Sequence, residues 1–357
     1  MNKRFVTGML VYALVFLVIA SVGLWVLWDY IEAYEYSRPV NAIKAYVDSL
    51  TPEDLSMGSA DLLDTLDTHL QSREESCRLI QESAEQTFSY AKKSAESTED
   101  RQVYVLRSGR QVIGEFAITS AEPDKFGFRV WEVTEESFDF SHLLGESVSV
   151  TVPSDFTVLV NGAALDESYI TAQGIPYACL EEFYGNYPLP SLVTYSADAY
   201  LGQATLEVLD REGDPIEITA DTDYNLLMPE CTEEEMEAMD TLAAQFLEYY
   251  VAFTGSSSGT AGGNYNRLCR YLVPEGELSK RLYTAISGLY FAQSLRDTIQ
   301  ETRVNQYASL GNGRYYCDIT YVVETVGRKG PVQQSYNMKV IMLETDMGLR
   351  VEGMSRY

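Results

Sequence analysis

The hydrophobic pattern opens with 24 consecutive uncharged residues, Phe5 to Trp28, mostly Leu, Val, Ile, Phe, Ala and Trp. As a helix this run is long enough to cross a bilayer's hydrocarbon core of about 30 Å. A cleaved secretory signal would have an apolar stretch of about 7 to 15 residues and a small-residue cleavage site, and neither feature is present. Trp25, Trp28 and Tyr30 gather at the outer end, where amphipathic rings favour the headgroup layer. Lys3 and Arg4 precede the run, whereas Asp29, Glu32 and Glu35 follow it. That asymmetry predicts a single-pass plasma-membrane protein with a cytoplasmic tail at 1–4, a transmembrane helix at 5–30 and everything beyond outside. A four-residue tail is too short to carry a signalling domain.

Past the anchor the pattern takes on a helical period. Val40, Ile43, Tyr46, Val47 and Leu50 form one apolar stripe. Thr51 followed by Pro52, Glu53 and Asp54 marks a second helix start, carried on by Leu62, Leu63, Leu66 and Leu70, and a third helix is expected over Arg73 to Gln86. The period then becomes that of strands, at Val103 to Leu106, Val112 to Ile118 and Phe126 to Val133, the last following a Glu122-Pro123-Asp124 turn. Residues 37–140 thus read as helices followed by an antiparallel sheet.

Residues 146–225 read as a small β-rich module. Val148, Val150 and Val152 alternate with polar residues, as do Phe156, Val158 and Val160 before Asn161-Gly162, a strong hairpin signal. Leu201 to Leu209 and Ile216 to Thr219 flank a second turn. In 232–357 the helix-then-strand order returns. Thr232 and Glu235 have capping-box spacing, and Met236, Met239, Leu242, Phe246, Tyr249 or Tyr250, and Phe253 share a face. A Gly/Ser-rich loop, two further helical stretches and four strand-like runs follow. Gly109-Arg110 and Gly127-Phe128-Arg129-Val130 are echoed by Gly327-Arg328 and Gly348-Leu349-Arg350-Val351, at offsets of 218 and 221 residues. Two matches in one order point to a duplicated architecture, although hairpins favour glycine in any case.

Charge and composition narrow the function classes. The chain carries 53 acidic and 26 basic residues, a net charge of −27, or −29 without Lys3 and Arg4. Such a surface repels phosphate backbones, so nucleic acid is not an expected partner. Five cysteines, Cys77, Cys179, Cys231, Cys269 and Cys317, stand far apart without C-x-x-C spacing, which supports neither a metal site nor a redox motif. Cys269 and Cys317 share one expected domain, where buried free thiols are as reasonable as a bridge. Only His69 and His142 are present, too few for a Ser-His-Asp triad or a zinc site. No cofactor is implied.

Three helices followed by a long, bent four-stranded sheet, ending in the Gly348 to Met354 strand, resemble the cone-shaped fold of the nuclear transport factor two-like superfamily. The 232–357 segment carries the better match. With one N-terminal helix and a β-module containing Val158-Leu159-Val160-Asn161-Gly162, the chain is similar to membrane-anchored envelope proteins of Gram-positive bacteria, including a Firmicutes group and the teicoplanin-resistance-associated membrane proteins. The resemblance implies an α+β chain in which two cone-shaped domains flank the β-module. It also implies sheet pairing, within the chain or between copies.

Some cone-fold enzymes of the ketosteroid-isomerase type place an acid beside a tyrosine in the pocket between sheet and helices. Here strand alternation puts Tyr315, Cys317, Ile319, Tyr321 and Val323 on the apolar face and Tyr316, Asp318, Thr320 and Glu324 on the other, so the inner face lacks an acid. The chain holds 26 tyrosines. Tyr250, Tyr290, Tyr315, Tyr321 and Tyr336 are the candidate binding residues, since tyrosine combines contact area with a polar tip. The expectation is a non-enzymatic extracytoplasmic protein that binds a protein or a wall-related ligand. The alternative is a small-ligand sensor or pocket enzyme in the C-terminal domain.

Overall fold

The computed structural model describes residues 3–84, 87–255, 260–289, 296–327 and 330–357. Four expected features lie outside them: the end of the third helix at 85–86, the loop stretch 256–259, Tyr290 and the Arg328-Lys329 turn. The chain is α+β, with one apolar N-terminal helix and several antiparallel sheets. By Cα proximity it divides into two compact units. One runs to Val148 and takes in Leu159–Ala164 and Ala197–Leu206; the other comprises Ser149–Val158, Leu165–Ser196 and Glu207–Tyr357.

In the first unit, α1 (Lys3–Tyr36) is a continuous helix of 34 residues. Its apolar side chains face outward on every side, with Leu10 and Leu17 each 65% exposed and Trp25 68% exposed. Among the described residues nothing covers them, and lipid is the medium that removes such a surface from water: α1 is a membrane anchor. The lower end of the helix is seated against the unit. The Tyr30 ring meets Phe126 and Phe128 edge-on at 5.4 and 5.0 Å, Tyr34 meets Phe128 at 5.7 Å, and Lys125 pairs with Asp29.

α2 (Pro39–Ser49) begins with proline at its first position and buries Ile43 and Val47, as the stripe predicts. α3 (Pro52–Gly58) opens on a Thr51/Asp54 capping box. The helix expected to run on to Leu70 does not form. α3 stops at Gly58, where a Cβ would stand 2.4 Å from the Phe138 ring, and α4 (Ala60–Leu63) is a single turn. Leu63, Leu66 and Leu70 are still buried, but the last two sit in turns held by the Asp67 amide donating to the Ala199 carbonyl at 2.7 Å. α5 (Arg73–Ser83) is capped by Ser72, whose Oγ accepts from the Glu75 amide.

β1 (Phe88–Lys92), β2 (Arg101–Ser108), β3 (Gln111–Ser120) and β4 (Trp131–Phe138) form an antiparallel meander in that order. Ile43, Leu55, Ile80, Leu106, Phe116 and Ile118 fill the space between helices and sheet. The strand expected over Phe126 to Val133 starts only at Trp131. The Asp124 carboxylate accepts from the amides of Phe126 and Phe128 at 2.9 and 2.8 Å, and Gly127 takes φ +83°, so 124–128 is a hairpin tip.

The 146–225 segment contributes to both units. β5 (Val148–Pro153) is followed by β6 (Thr157–Val160) and β7 (Ala163–Ala164), joined by Asn161-Gly162 with both φ angles positive, the turn this dipeptide predicts. β8 (Ile170–Pro176) and β9 (Ser191–Ala197) pair in a three-stranded sheet ordered β5-β9-β8. β10 (Leu206–Leu209) and β11 (Pro215–Ile216) form the second hairpin, its turn held by the Asp210 carboxylate accepting from the Glu212 and Asp214 amides.

The second unit then repeats the helix-to-meander order. α6 (Glu233–Gly255), α7 (Ala261–Leu268) and α8 (Glu277–Leu289) precede β12 (Arg296–Gly311), β13 (Arg314–Gly327), β14 (Gly330–Thr345) and β15 (Gly348–Arg356), again paired in chain order. β12 to β14 run 14 to 16 residues, and β12 is bent by bulges at Ile299/Glu301, Val304/Gln306 and Ser309/Gly311. Gly127 and Gly348, at φ +83° and +87°, sit in equivalent hairpins of the two meanders. They match in turn position, although Gly348 opens its strand and Gly127 precedes its own by four residues.

Candidate functional site

The interior of the second unit is filled by its own side chains. α6 presents Met239, Leu242, Phe246, Tyr250 and Phe253 to Cys317, Ile319, Tyr321 and Val323 of β13 and to Met338, Val340 and Met342 of β14. The inward face of β13 is the one its alternation predicts. Among the described residues this buried set contains no charged side chain. The buried polar residue nearby is Asn264, whose amide donates to the Ala252 carbonyl at 2.8 Å.

Four of the five candidate tyrosines fall among the described residues, in three settings. Tyr250 is buried and stacks on Phe246 at 5.6 Å. Tyr321 is buried too, its hydroxyl pushed up to about 12 by desolvation, and its ring lies 5.5 Å from Tyr336. Tyr336 is half-buried, with the Arg356 guanidinium 4.5 Å from its ring centre. Thus Tyr250, Tyr321 and Tyr336 belong to one end of the core and its margin. Tyr315 lies apart, donating to Glu235 Oε1 at 2.9 Å, with its hydroxyl pushed up to about 12 by burial and by that bond. It lines a shallow 410 Å³ groove with Thr232, Glu235, Ala238, Glu344 and Leu349.

The outer face of β13 holds what alternation alone does not reveal. Tyr316 points away from the cone yet is fully buried, because Tyr177, Cys179, Leu180 and Phe183 pack over it. Asp318, on the same face, accepts from the Tyr357 hydroxyl at 2.7 and 2.9 Å. Carboxylate and tyrosine therefore meet outside the cone. Lys339 lies 5.1 Å from the centre of the Tyr357 ring and 3.5 Å from Glu182, which also takes a hydrogen bond from Ser355.

Beside this cluster is a 540 Å³ cleft open to solvent, formed by the 182–187 loop, α8 and the end of β15. Glu182, Asn186, Tyr187, Lys280, Arg281 and Thr284 supply most of its polar lining. Tyr187 donates to the Glu352 carbonyl at 3.1 Å, and Gly353 makes room for its ring, since a Cβ there would stand 2.8 Å from the hydroxyl oxygen. Arg281 donates to the Met354 carbonyl at 2.9 Å. Below them Arg314 and Glu352 form a two-pronged ion pair at 2.8 and 3.1 Å, with both side chains mostly buried. The cleft therefore offers hydrogen-bond donors and acceptors and charges of both signs on a braced floor. Sequence reasoning missed it, because its walls come from three segments, 182–187, 277–284 and 354–355, about 70 to 90 residues apart in the chain.

In the first unit, His69 Nε2 lies 2.8 Å from the Ala164 carbonyl, and His142 packs against Phe140. All five cysteines are free, and burial pushes the Cys179 and Cys231 thiols up to about 11. Among the described residues no group of His, Cys, Asp and Glu is arranged to hold a metal ion.

No protein-family model matches the sequence, and no curated protein matches it. Three solved structures give the scale of the structural likeness. The intermembrane space region of the chloroplast protein ARC6 is 11% identical over 36% of this chain and 98% of its own, with a TM-score of 0.27. An Ntf2-like potential transfer protein TraM from the Gram-positive conjugative plasmid pIP501 is 14% identical over 34% of this chain and 96% of its own, at 0.24. An Ntf2-like protein involved in plasmid conjugation is 8% identical over 81% of this chain and 84% of its own, also at 0.24. Likenesses at such scores say nothing of what this chain binds, and its fold rests on its own element order and strand pairing.

Proposed function

We propose that this chain is a single-pass membrane protein that binds a protein or cell-envelope partner outside the membrane and performs no chemistry on it. In this reading 37–140 and 232–357 are two helix-and-meander domains of the nuclear transport factor two-like kind, spaced by the 146–225 module. The N-terminus is cytoplasmic, as Lys3 and Arg4 ahead of the span favour.

The observation that carries the reading is the contrast within the second unit. Among the described residues its core is packed with apolar side chains and holds no carboxylate or cationic group, whereas charged and hydrogen-bonding groups line an open cleft. A pocket enzyme needs the reverse, a carboxylate facing an enclosed apolar space. Asp318 meets its tyrosine on the outer face, where solvent reaches both. Tyr187 and Arg281 are residue types that anchor protein interfaces, and the shallow groove at Tyr315 is a second, smaller contact point.

Site-specific photocrosslinking tests the proposal. A benzophenone amino acid placed at Asn186 or Thr284 in the full-length protein, in its native membrane, is expected to capture one reproducible protein partner. The same probe at Leu226, exposed and not among the residues that line the cleft, is expected to capture none. Equal capture at all three positions, or at none, would overturn the cleft as the binding surface.

A further inference from the structure

The first unit carries an aromatic surface at the foot of the anchor that its own fold leaves unfinished. A helix rises 1.5 Å per residue, so Tyr30 lies about 3 Å and Tyr34 about 9 Å beyond Trp28, the last residue of the uncharged run. The headgroup layer flanking the hydrocarbon core is about 5 to 8 Å deep on each side. Tyr30 is therefore at headgroup depth. Phe126 and Phe128 of the hairpin tip are at the same level, because their rings lie against Tyr30 at 5.4 and 5.0 Å.

That register is held by several contacts along the helix. Lys125 pairs with Asp29, the Lys125 ammonium lies 5.0 Å from the centre of the Phe126 ring, and Trp131 Nε1 donates to the Ser37 carbonyl at 3.0 Å. Around this junction Trp28 and Ile31, both within about 5 Å of the end of the uncharged run, remain 71 and 48% exposed. In water these side chains would form an uncovered apolar collar; at a bilayer surface they are where aromatic and aliphatic groups with polar neighbours are favoured.

We propose that the β3–β4 hairpin tip, Glu122 to Val130, is a second membrane contact that lies in the phospholipid headgroup layer beside α1. The anchor alone would leave the first unit free to swivel. A second contact, fixed to the helix by the Tyr30–Phe126–Phe128 cluster, holds it in one orientation on the membrane. Acidic groups at the junction, Asp29, Glu32, Glu35, Glu122 and Asp124, outnumber Lys125 and Arg129, so the contact suits zwitterionic headgroups and depends on the aromatic rings rather than on anionic lipid. The inference rests on α1 spanning the bilayer, and its test reads that premise separately.

The full-length protein is placed in phosphatidylcholine nanodiscs containing lipid spin-labelled at the headgroup. A fluorescent amino acid is introduced by codon suppression at Tyr30, Glu122, Phe126 or Arg110, one at a time. Arg110 is the internal control: it sits in the turn at the opposite end of β3, whose ten residues span about 33 Å. The expected result is a loss of emission at Glu122 and Phe126 comparable to that at Tyr30, with none at Arg110. Quenching at Tyr30 alone would overturn the hairpin contact and keep the anchor. No quenching at Tyr30 would overturn both. Glu122 is exposed, so its variant keeps the test valid if the Phe126 variant disturbs the fold.

Discussion

Gly353 is the residue on which the cleft's geometry most directly depends. A methyl group there would lie 2.8 Å from the Tyr187 hydroxyl oxygen and 3.1 Å from ring carbons, so the ring must shift and its bond to the Glu352 carbonyl is strained. Gly353→Ala is therefore expected to lower stability by about 1 to 3 kcal/mol, the usual cost of overpacking a closed contact. In a Tyr187→Ala background the same substitution is expected to cost much less, since the clash is gone. Thermal unfolding of the four variants in nanodiscs reads this coupling; equal costs in both backgrounds would contradict the close approach. The sequence made the inward face of β13 legible, Cys317, Ile319, Tyr321 and Val323 included. It also pointed Tyr316 the correct way, outward. What alternation could not convey is that outward does not mean exposed: Tyr177, Leu180 and Phe183, over 130 residues earlier, cover it, and pairing across such a distance has no periodic signature.

Individual elements were readable wherever one short-range interaction decides them. Asn161-Gly162 makes its hairpin because both residues tolerate positive φ, and α6 starts where Thr232 and Glu235 can cap each other. The Glu235 carboxylate also accepts from Tyr315, tying the first turn of α6 to β13, and these bonds hold it below its ordinary range. Glu235→Ala is expected to destabilise the chain by about 1 kcal/mol, while Glu235→Gln, which can still close the box, costs less than half of that. Denaturant midpoints of the two variants check the order, and an Ala variant as stable as the Gln variant would contradict it. Two elements misled the periodic reading for physical reasons. The leucines at 66 and 70 are buried from turns rather than from a helix: α3 ends at Gly58, and the Asp67 amide between them bonds the distant Ala199 carbonyl. The apolar run from Phe126 looks like a strand, yet Asp124 folds it into a tip whose rings serve the anchor.

On the scale of the whole molecule, the order of elements was the most legible property: an apolar helix, helices and a meander, a β-module, then helices and a meander again. The cleft was the least legible, because it exists only once the 182–187 loop, α8 and β15 have come together. The cleft can meet an extracytoplasmic partner only if it faces outward from the membrane. That is tested by introducing Leu226→Cys, a position 74% exposed in the second unit, and treating intact cells with a membrane-impermeant maleimide. The native cysteines are buried or half-buried, so the unsubstituted protein supplies the background. The account predicts labelling above that background before the cells are lysed; labelling that appears only after lysis would place the cleft in the cytoplasm and contradict it.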